Sequence, residues 1–178
     1  MTGFVHESAS ISPEAEVGPG TSVWEWSKIR EGAKVGAGCV IGQGVYIDHG
    51  VVLGDGCKVQ NGVSIYSGVT IGDRVFVGPH VTFTNDLSPR AFSVDWVIVP
   101  TEVEDMVSIG ANATIVCGNR LGRGAMIGAG AVITSDVSPF ALVVGNPAQV
   151  IDFVDEAGTR LHVGPGGGPQ SIAGREKP

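Results

Sequence analysis

An apolar residue recurs at every sixth position along most of this chain. Reading from Val5 to Phe83 in steps of six gives fourteen apolar residues in fourteen places, and the series resumes from Val103 to Ile133. With about 40% apolar residues, chance would give the first series about once in several hundred thousand trials. A second set of small or β-branched residues lies two positions before most of these. Because residues two apart on a strand point to the same side, each hexad is predicted to be a short strand with one large and one small side chain inward.

Glycine marks the boundaries between these predicted strands. It lies three positions before many of the large apolar residues, for example as Gly38, Gly44 and Gly50. A glycine every six residues supplies a corner, where the backbone adopts conformations that other residues avoid. Three strands and three corners make one triangular coil, and coils stacked about 4.8 Å apart pair their backbone groups. The sequence therefore predicts an all-β fold, a left-handed parallel β-helix of hexapeptide repeats.

Three segments depart from the hexad pattern or follow it. Residues 84–101 cannot continue the pattern, so they are predicted to leave the β-helix of residues 1–147 as a protruding loop. Such a loop in a regular solenoid is usually functional. The apolar spacing within residues 148–163 predicts a short C-terminal helix. Residues 164–178 contain five Gly and three Pro and are predicted to be a disordered tail.

Composition and charge narrow the function. Val and Ile together number 40 against 5 Leu, as a strand-rich fold requires. The formal net charge is −7 without a basic stripe, so we expect no nucleic-acid partner. The sequence shows no secretory signal and no apolar run near the roughly 20 residues of a membrane span. We therefore expect a cytoplasmic protein that does not enter a membrane. No Cys or His lies at metal-ligand spacing, so we expect no metal site.

Four stretches of the chain resemble a known enzyme family: CKVQNGVSIYSGVTIGDRVFVGPHVTFTNDLSPRA, SIGANATIVCG, AMIGAGAVITSDV and ALVVGNPAQVIDFVDEAG. They are similar to bacterial nucleotide-sugar N-acetyltransferases of the hexapeptide superfamily. The closest subgroup acetylates the 3-amino group of UDP-2-acetamido-3-amino-2,3-dideoxyglucuronate, and sister enzymes act on dTDP-3-amino-3,6-dideoxyhexoses. The resemblance covers about residues 5–162. It implies a homotrimer in which acetyl-CoA lies in the groove between two β-helices.

The resemblance also implies the roles of individual residues. Asn85 and Asp86 of the FTND motif are implied to orient the reacting amine of the substrate. The other implied substrate contacts are Arg90, which would bind an anionic group, together with Asn61, Tyr66 and Ser67; relatives usually carry an acidic residue in place of Ser67. The implied acetyl-CoA track is made of small residues and an Asn-Pro motif: Gly110, Ala111, Ala113, Gly128, Ala129, Ala131, Asn146 and Pro147.

Each of these candidates also has a purely structural interpretation. Asn85 and Asp86 are residue types that cap a turn where a loop begins. A surface ion pair would explain Arg90. Asn61 followed by glycine is a common turn dipeptide. The packing of a β-helix requires small residues at the positions of the coenzyme track even without a coenzyme.

An amine can attack a thioester directly, so N-acetylation needs no strong protein base, and the resemblance implies that the departing coenzyme thiolate takes the proton. Two other functions fit the same repeat. One is a sugar O-acetyltransferase, in which His49 or His80 would act as the base. The other is a non-catalytic β-helix scaffold subunit, which would not need the FTND loop.

Overall fold

The protein is described by a computed structural model that covers residues 3–163 and 169–171. Its coil strands are short, and each ends on one of the periodic apolar residues. The strands of the coils are β1 (Ser10–Ile11), β2 (Glu16–Val17), β3 (Ser22–Val23), β4 (Lys28–Ile29), β5 (Lys34–Val35), β6 (Val40–Ile41), β7 (Tyr46–Ile47), β8 (Val52–Leu53), β9 (Lys58–Val59), β10 (Ser64–Ile65), β11 (Val69–Ile71), β12 (Phe76–Val77), β13 (Thr82–Phe83), β14 (Thr101–Val103), β15 (Ser108–Ile109), β16 (Thr114–Ile115), β17 (Arg120–Leu121), β18 (Met126–Ile127) and β19 (Val132–Ile133). The C-terminal strands are β20 (Ala141–Gly145), β21 (Ala148–Val154), β22 (Arg160–Val163) and β23 (Pro169–Ser171).

Every third strand of the coils belongs to the same parallel sheet. The first sheet runs β1-β4-β7-β10-β13-β16-β19, the second contains β2-β5-β8-β11-β14-β17, and the third contains β3-β6-β9-β12-β15-β18. Residues one coil apart pair directly, as Ser10 does with Lys28 and Ile11 with Ile29. The predicted all-β parallel solenoid is confirmed.

The core is a column of the periodic apolar side chains. The inward residue of each strand from β3 to β19 is almost completely buried, and Phe83 is the largest of the fully buried side chains. Glycine is required for different physical reasons at two positions of the same corner. A Cβ on Gly36 would lie 2.5 Å from the backbone of Gly54 in the next coil, whereas Gly38 has open space but a φ of 65°. Glycine is therefore needed at one corner position for close approach and at the other for its backbone conformation.

The solenoid is interrupted once, between β13 and β14. The chain leaves the coil at Thr84 and returns at Pro100, so that Val69 pairs with Thr101. The backbone N–H of Val99 donates to the carbonyl oxygen of Asn85 at 3.0 Å and closes the base of this loop. The segment between these two ends exposes several large apolar side chains: Leu87, Phe92, Val94, Trp96 and Val97.

The C-terminal helix predicted over residues 148–163 is wrong. The chain turns at Asn146 and Pro147 and folds back, so that β21 pairs antiparallel with β20 and β22 pairs with β21. A helix there would leave the outer edge of β20 unpaired, whereas the hairpin satisfies its backbone groups. Within the predicted tail, Pro169–Ser171 forms β23 against β22. The remaining residues of that tail, 164–168 and 172–178, lie outside the described residues.

Candidate functional site

The triangular coil places the candidate residues at two different corners. The loop corner joins the first sheet to the second and consists of residues 30–32, 48–50, 66–68, 84–100 and 116–118. The glycine corner joins the third sheet to the first and consists of residues 24–26, 42–44, 60–62, 78–80, 110–112 and 128–130. A corner of one coil stacks directly on the same corner of the next coil.

Three of the predicted substrate residues line one cavity at the loop corner. Asn85, Asp86 and Arg90 surround a space of about 540 Å³ together with Trp96. Asp86 also caps a turn, because its Oδ1 accepts the backbone N–H of Ser88 at 2.8 Å. The structural alternative for Asp86 is therefore present, and Asp86 is at the same time a lining residue of the cavity.

Arg90 does not form the surface ion pair that was its structural alternative. Among the described contacts, its guanidinium Nη1 donates to the carbonyl oxygen of the preceding residue, Pro89, at 2.7 Å. No described acidic side chain is paired with it. A guanidinium in this position can bind a carboxylate or phosphate that enters the cavity.

The two remaining substrate candidates of this corner, Tyr66 and Ser67, lie in the coil adjacent to Asn85. Tyr66 is half-exposed, and its ring centroid is 5.7 Å from that of Tyr46. Ser67 is only 6% exposed. Its Oγ lies 3.2 Å from Nε2 of His49, which occupies the same corner in the preceding coil.

A polar network continues from Ser67 toward the first coils. Oδ1 of Asp48 accepts from Arg30 Nη1 at 3.0 Å and from the hydroxyl of Tyr46 at 3.0 Å. The same oxygen lies 3.4 Å from Nδ1 of His49, and Asp48 Oδ2 accepts the backbone N–H of Ser67 at 3.2 Å. Asp48 is thus the centre of a hydrogen-bonded cluster that ends at Ser67, in the coil that precedes the loop.

The environment of Asp48 favours its carboxylate form. Burial by itself raises the pKa of Asp48, but hydrogen bonds from the backbone N–H groups of His49 and Ser67 and from the side chains of Tyr46 and His49 together outweigh burial. The pKa of Asp48 is therefore lowered from its ordinary value of 3.8. A charged group is present at this corner at neutral pH.

The glycine corner holds Asn61 and four residues of the predicted acetyl-CoA track. The side-chain oxygen of Asn61 accepts the backbone N–H of Gln43 at 3.0 Å, which is a bond between coils rather than a local turn. A Cβ on Gly110 would lie 2.5 Å from the backbone N of Ala129. The stacking of coils therefore accounts for glycine there, while the Ala111 and Ala129 side chains remain at the surface.

Four residues of the predicted track are placed differently from the rest. The side chains of Ala113 and Ala131 point into the core and are at most 1% exposed, so only their backbone could face a coenzyme, and their place in the acetyl-CoA track stays a prediction. They follow the inward small positions of the hexad, which face the axis of the solenoid. Asn146 and Pro147 form the exposed turn between β20 and β21, joined by a cis peptide bond.

Sequence reasoning gave Ser67 a substrate contact and His49 at most a role as base, and it did not find their connection. Neither Asp48 nor Arg30 is predicted by the sequence pattern. The signal was present in the repeat, because His49 and Ser67 occupy equivalent positions of consecutive coils. The interaction of Asp48 with Ser67 required the observed corner geometry.

The described part of the chain, residues 3–163 and 169–171, contains no group of three His, Cys, Asp or Glu side chains arranged to hold a metal ion. Nor do these residues form any helix with the length and apolar character of a membrane span.

Comparison with known proteins agrees with the repeat. Residues 14–49 and 50–85 match the bacterial transferase hexapeptide family (six repeats), and residues 32–67 and 100–135 match the hexapeptide repeat of succinyl-transferase. The chain is 46% identical over 61 residues to dTDP-3-amino-3,6-dideoxy-alpha-D-galactopyranose 3-N-acetyltransferase of Aneurinibacillus thermoaerophilus, covering 34% of this chain and 32% of that protein. It is 51% identical over 57 residues to 2,3,4,5-tetrahydropyridine-2,6-dicarboxylate N-acetyltransferase of Staphylococcus aureus, covering 32% of this chain and 24% of that protein. The chain thus matches about a quarter to a third of the length of these curated relatives.

Among solved structures, the chain is similar to a hexapeptide-repeat-containing acetyltransferase from Vibrio cholerae complexed with acetyl coenzyme A. The TM-score is 0.63 at 26% sequence identity, and the match covers 70% of this chain and 72% of that one. The two repeat matches together span residues 14–85 and 100–135, which are the coils on either side of the loop. The chain belongs to the family of hexapeptide-repeat proteins.

Proposed function

We propose that the protein is an acetyl-CoA-dependent N-acetyltransferase that acts on the 3-amino group of a UDP- or dTDP-linked amino sugar. The observation that carries this proposal is the cavity at the loop corner, in which Asn85, Asp86 and Arg90 converge. Both curated relatives described above are N-acetyltransferases, and one of them acts on a dTDP-linked 3-amino sugar. The Vibrio cholerae structure with acetyl coenzyme A supports the same donor.

The cavity combines the charges that such a substrate requires. The Asp86 carboxylate attracts and orients the amine, and Asn85 offers both a donor and an acceptor. Arg90 supplies a positive charge for a carboxylate or diphosphate of the nucleotide sugar. Holding the amine against the thioester carbon is positional catalysis, because it converts a bimolecular encounter into a local one.

We propose a homotrimer because one chain separates the two halves of the site. The cavity lies at the loop corner, whereas Ala111 and Ala129 of the acetyl-CoA track lie at the glycine corner. Two corners of a triangle face away from each other, but the loop corner of one chain can meet the glycine corner of a second copy. A closed ring of three copies would repeat this contact three times. Acetyl-CoA would then lie between two subunits, and a cytoplasmic location, where acetyl-CoA is available, is part of the proposal.

The proposal is tested by incubating the protein with acetyl-CoA and a panel of nucleotide sugars, followed by mass spectrometry. The panel contains UDP- and dTDP-linked 3-amino sugars and, as matched controls, the same sugars with a 3-hydroxyl group. We expect a product heavier by one acetyl group from an amino sugar only, and we expect it to survive mild base. A base-labile product would be an ester and would favour the O-acetyltransferase. A protein that releases no coenzyme A thiol with any acceptor would favour the scaffold.

A further inference from the structure

The loop that forms the cavity has two arms joined by a turn. The backbone N–H of Val99 donates to the carbonyl oxygen of Asn85 at 3.0 Å and holds the two ends of the loop together. The backbone N–H of Ser93 donates to the carbonyl oxygen of Arg90 at 3.0 Å, so the chain reverses over residues 90–93. The outgoing arm, residues 84–90, therefore begins with Asn85 and Asp86 at the base of the loop and ends with Arg90 at the turn.

Trp96 lies in the middle of the returning arm, residues 93–99. It is three residues from Ser93 at the turn and three residues from Val99 at the base. Three residues span at most about 10 Å, so the indole stays within reach of both ends of the loop. Trp96 lines the same cavity as Asp86 and Arg90. Along the loop, the aromatic side chain is thus placed between the carboxylate at the base and the guanidinium at the turn.

Trp96 differs from the other large apolar side chains that the loop exposes, because it is the one among them that lines this cavity. It is 51% exposed, whereas Phe92 of the same loop is 83% exposed and is not part of the lining. None of the ring contacts among the described residues involves Trp96. Its indole therefore offers an apolar surface to a ligand in the cavity, and covering that surface is favourable.

The proposed substrate carries its groups in an order that matches the loop. Its amine is attached to a hexose ring, and the ring is attached through its anomeric carbon to a diphosphate. Asp86 at the base attracts the amine, and Arg90 at the turn pairs with the diphosphate. The hexose ring joins these two groups, so it occupies the middle of the cavity. Its C–H groups form an apolar face, which is a surface that an indole can cover while the hydroxyl groups at the rim stay in water.

We infer that Trp96 is the platform on which the hexose ring of the substrate lies, and that it acts as a positioning residue. This inference rests on the proposed function. No bond forms or breaks at the indole. Its contact with the ring fixes the direction of the 3-amino group toward Asp86, while the diphosphate is held by Arg90. The nucleobase then lies beyond the turn and does not contact Trp96.

The fluorescence of Trp96 tests this contact directly. The chain has three tryptophans, so Trp24→Phe combined with Trp26→Phe leaves Trp96 as the only one. A UDP- or dTDP-linked 3-amino sugar should move its emission to shorter wavelength, because the hexose ring removes water from the indole. UDP and dTDP without a sugar should bind through Arg90 and leave the emission unchanged. An equal shift with UDP or dTDP alone would place the nucleobase on Trp96 and overturn the inference.

Dissociation constants measured on chains that retain Trp24 and Trp26 provide the second test. Trp96→Ala should weaken binding of the nucleotide-linked amino sugar about tenfold and leave binding of UDP and dTDP unchanged. Arg90→Ala should weaken both kinds of ligand, and Trp96→Phe should restore most of the lost affinity because a smaller aromatic face remains. An equal loss of UDP or dTDP binding in Trp96→Ala would overturn the inference.

Phe92→Ala is the matched control, because it removes an exposed aromatic ring from the same loop but outside the cavity lining. It should leave the dissociation constants and the KM for the amino sugar unchanged. Trp96→Ala should raise that KM about tenfold and leave the KM for acetyl-CoA unchanged. The same loss in Phe92→Ala would show a general effect on the loop and would contradict a specific role of Trp96.

Failure of this inference can be distinguished from failure of the proposed function. If the wild type acetylates an amino sugar while Trp96→Ala keeps wild-type dissociation constants and KM, the platform is overturned and the proposed function stands. If the amino sugar shifts the Trp96 emission and its binding depends on Trp96, but no acetylated product forms, the platform stands and the proposed function is contradicted.

Discussion

Asp86 caps a turn and also lines the cavity, and two different substitutions of Asp86 separate these two roles. The Oδ1 of Asp86 accepts the backbone N–H of Ser88 at 2.8 Å. An amide oxygen can accept the same bond, so Asp86→Asn keeps the turn and removes only the charge. Asp86→Ala removes both. We expect the Asn variant to change the free energy of unfolding by no more than about 0.5 kcal/mol, and the Ala variant to lose about 1 kcal/mol.

The activity of the two variants should follow the charge rather than the turn. If the carboxylate orients the amine, its loss removes one charge-assisted hydrogen bond of about 1.5–3 kcal/mol. That energy corresponds to a roughly ten- to hundredfold decrease in kcat/KM. We therefore expect similar decreases for Asp86→Asn and Asp86→Ala, measured by coenzyme A thiol release at a fixed amino-sugar concentration far below KM.

Asp55→Asn provides the control for this comparison. Oδ1 of Asp55 accepts the backbone N–H of Ala37 at 2.7 Å, so it caps the chain like Asp86, but it lies at the third corner of the coil. Its kcat/KM should equal that of the wild type. The reasoning is refuted if Asp86→Asn retains full kcat/KM while Asp86→Ala loses activity, because Asp86 would then be only a turn cap.

Two further predictions concern assembly and acid stability. Ala129→Trp at the glycine corner and Asp86→Ala should each be strongly impaired alone. Unfolding and refolding them together should restore about a quarter of the wild-type activity, since one site in four then combines the intact loop corner of one variant with the intact glycine corner of the other. The control is Ala37→Trp, which changes an identical Gly-Ala-Gly tripeptide at the corner between the second and third sheets and should remain active. If the mixture of Ala129→Trp and Asp86→Ala recovers no activity, both halves of the site belong to one chain. The lowered pKa of Asp48 means that its carboxylate stabilises the fold above the ordinary value of 3.8 and that this contribution is lost as the pH falls through the native pKa. Thermal unfolding of Asp48→Asn should therefore depend less on pH below that value than unfolding of the wild type, and identical acid dependence would contradict the assigned ionisation.

The position of the exposed loop was predicted from the sequence pattern alone. The loss of the hexad after Phe83 placed the protrusion almost to the residue, since the described segment runs from Thr84 to Pro100. The resemblance named Asn85, Asp86 and Arg90, and the structure places all three around one cavity. Their catalytic roles stay predictions. The separation of Asn61 from this cavity could not be derived from local sequence, because neighbours in sequence such as Asn61 and Tyr66 lie on different corners.

The sequence by itself determined the parallel solenoid, because stacked coils of three short strands keep an apolar residue at every sixth position inside while the backbone pairs between coils. Local patterns failed where that repeat ends. The apolar spacing of residues 148–163 suits a helix, but the free edge of β20 selects an antiparallel strand, β21, instead. Only the tertiary structure joined Asp48, His49 and Ser67, because side chains one coil apart meet when stacking brings their corners together. It also decided that the cavity of Asn85, Asp86 and Arg90 lies at a different corner from Ala111 and Ala129, which we propose bind acetyl-CoA, since three strands per coil set them on separate edges of the same prism.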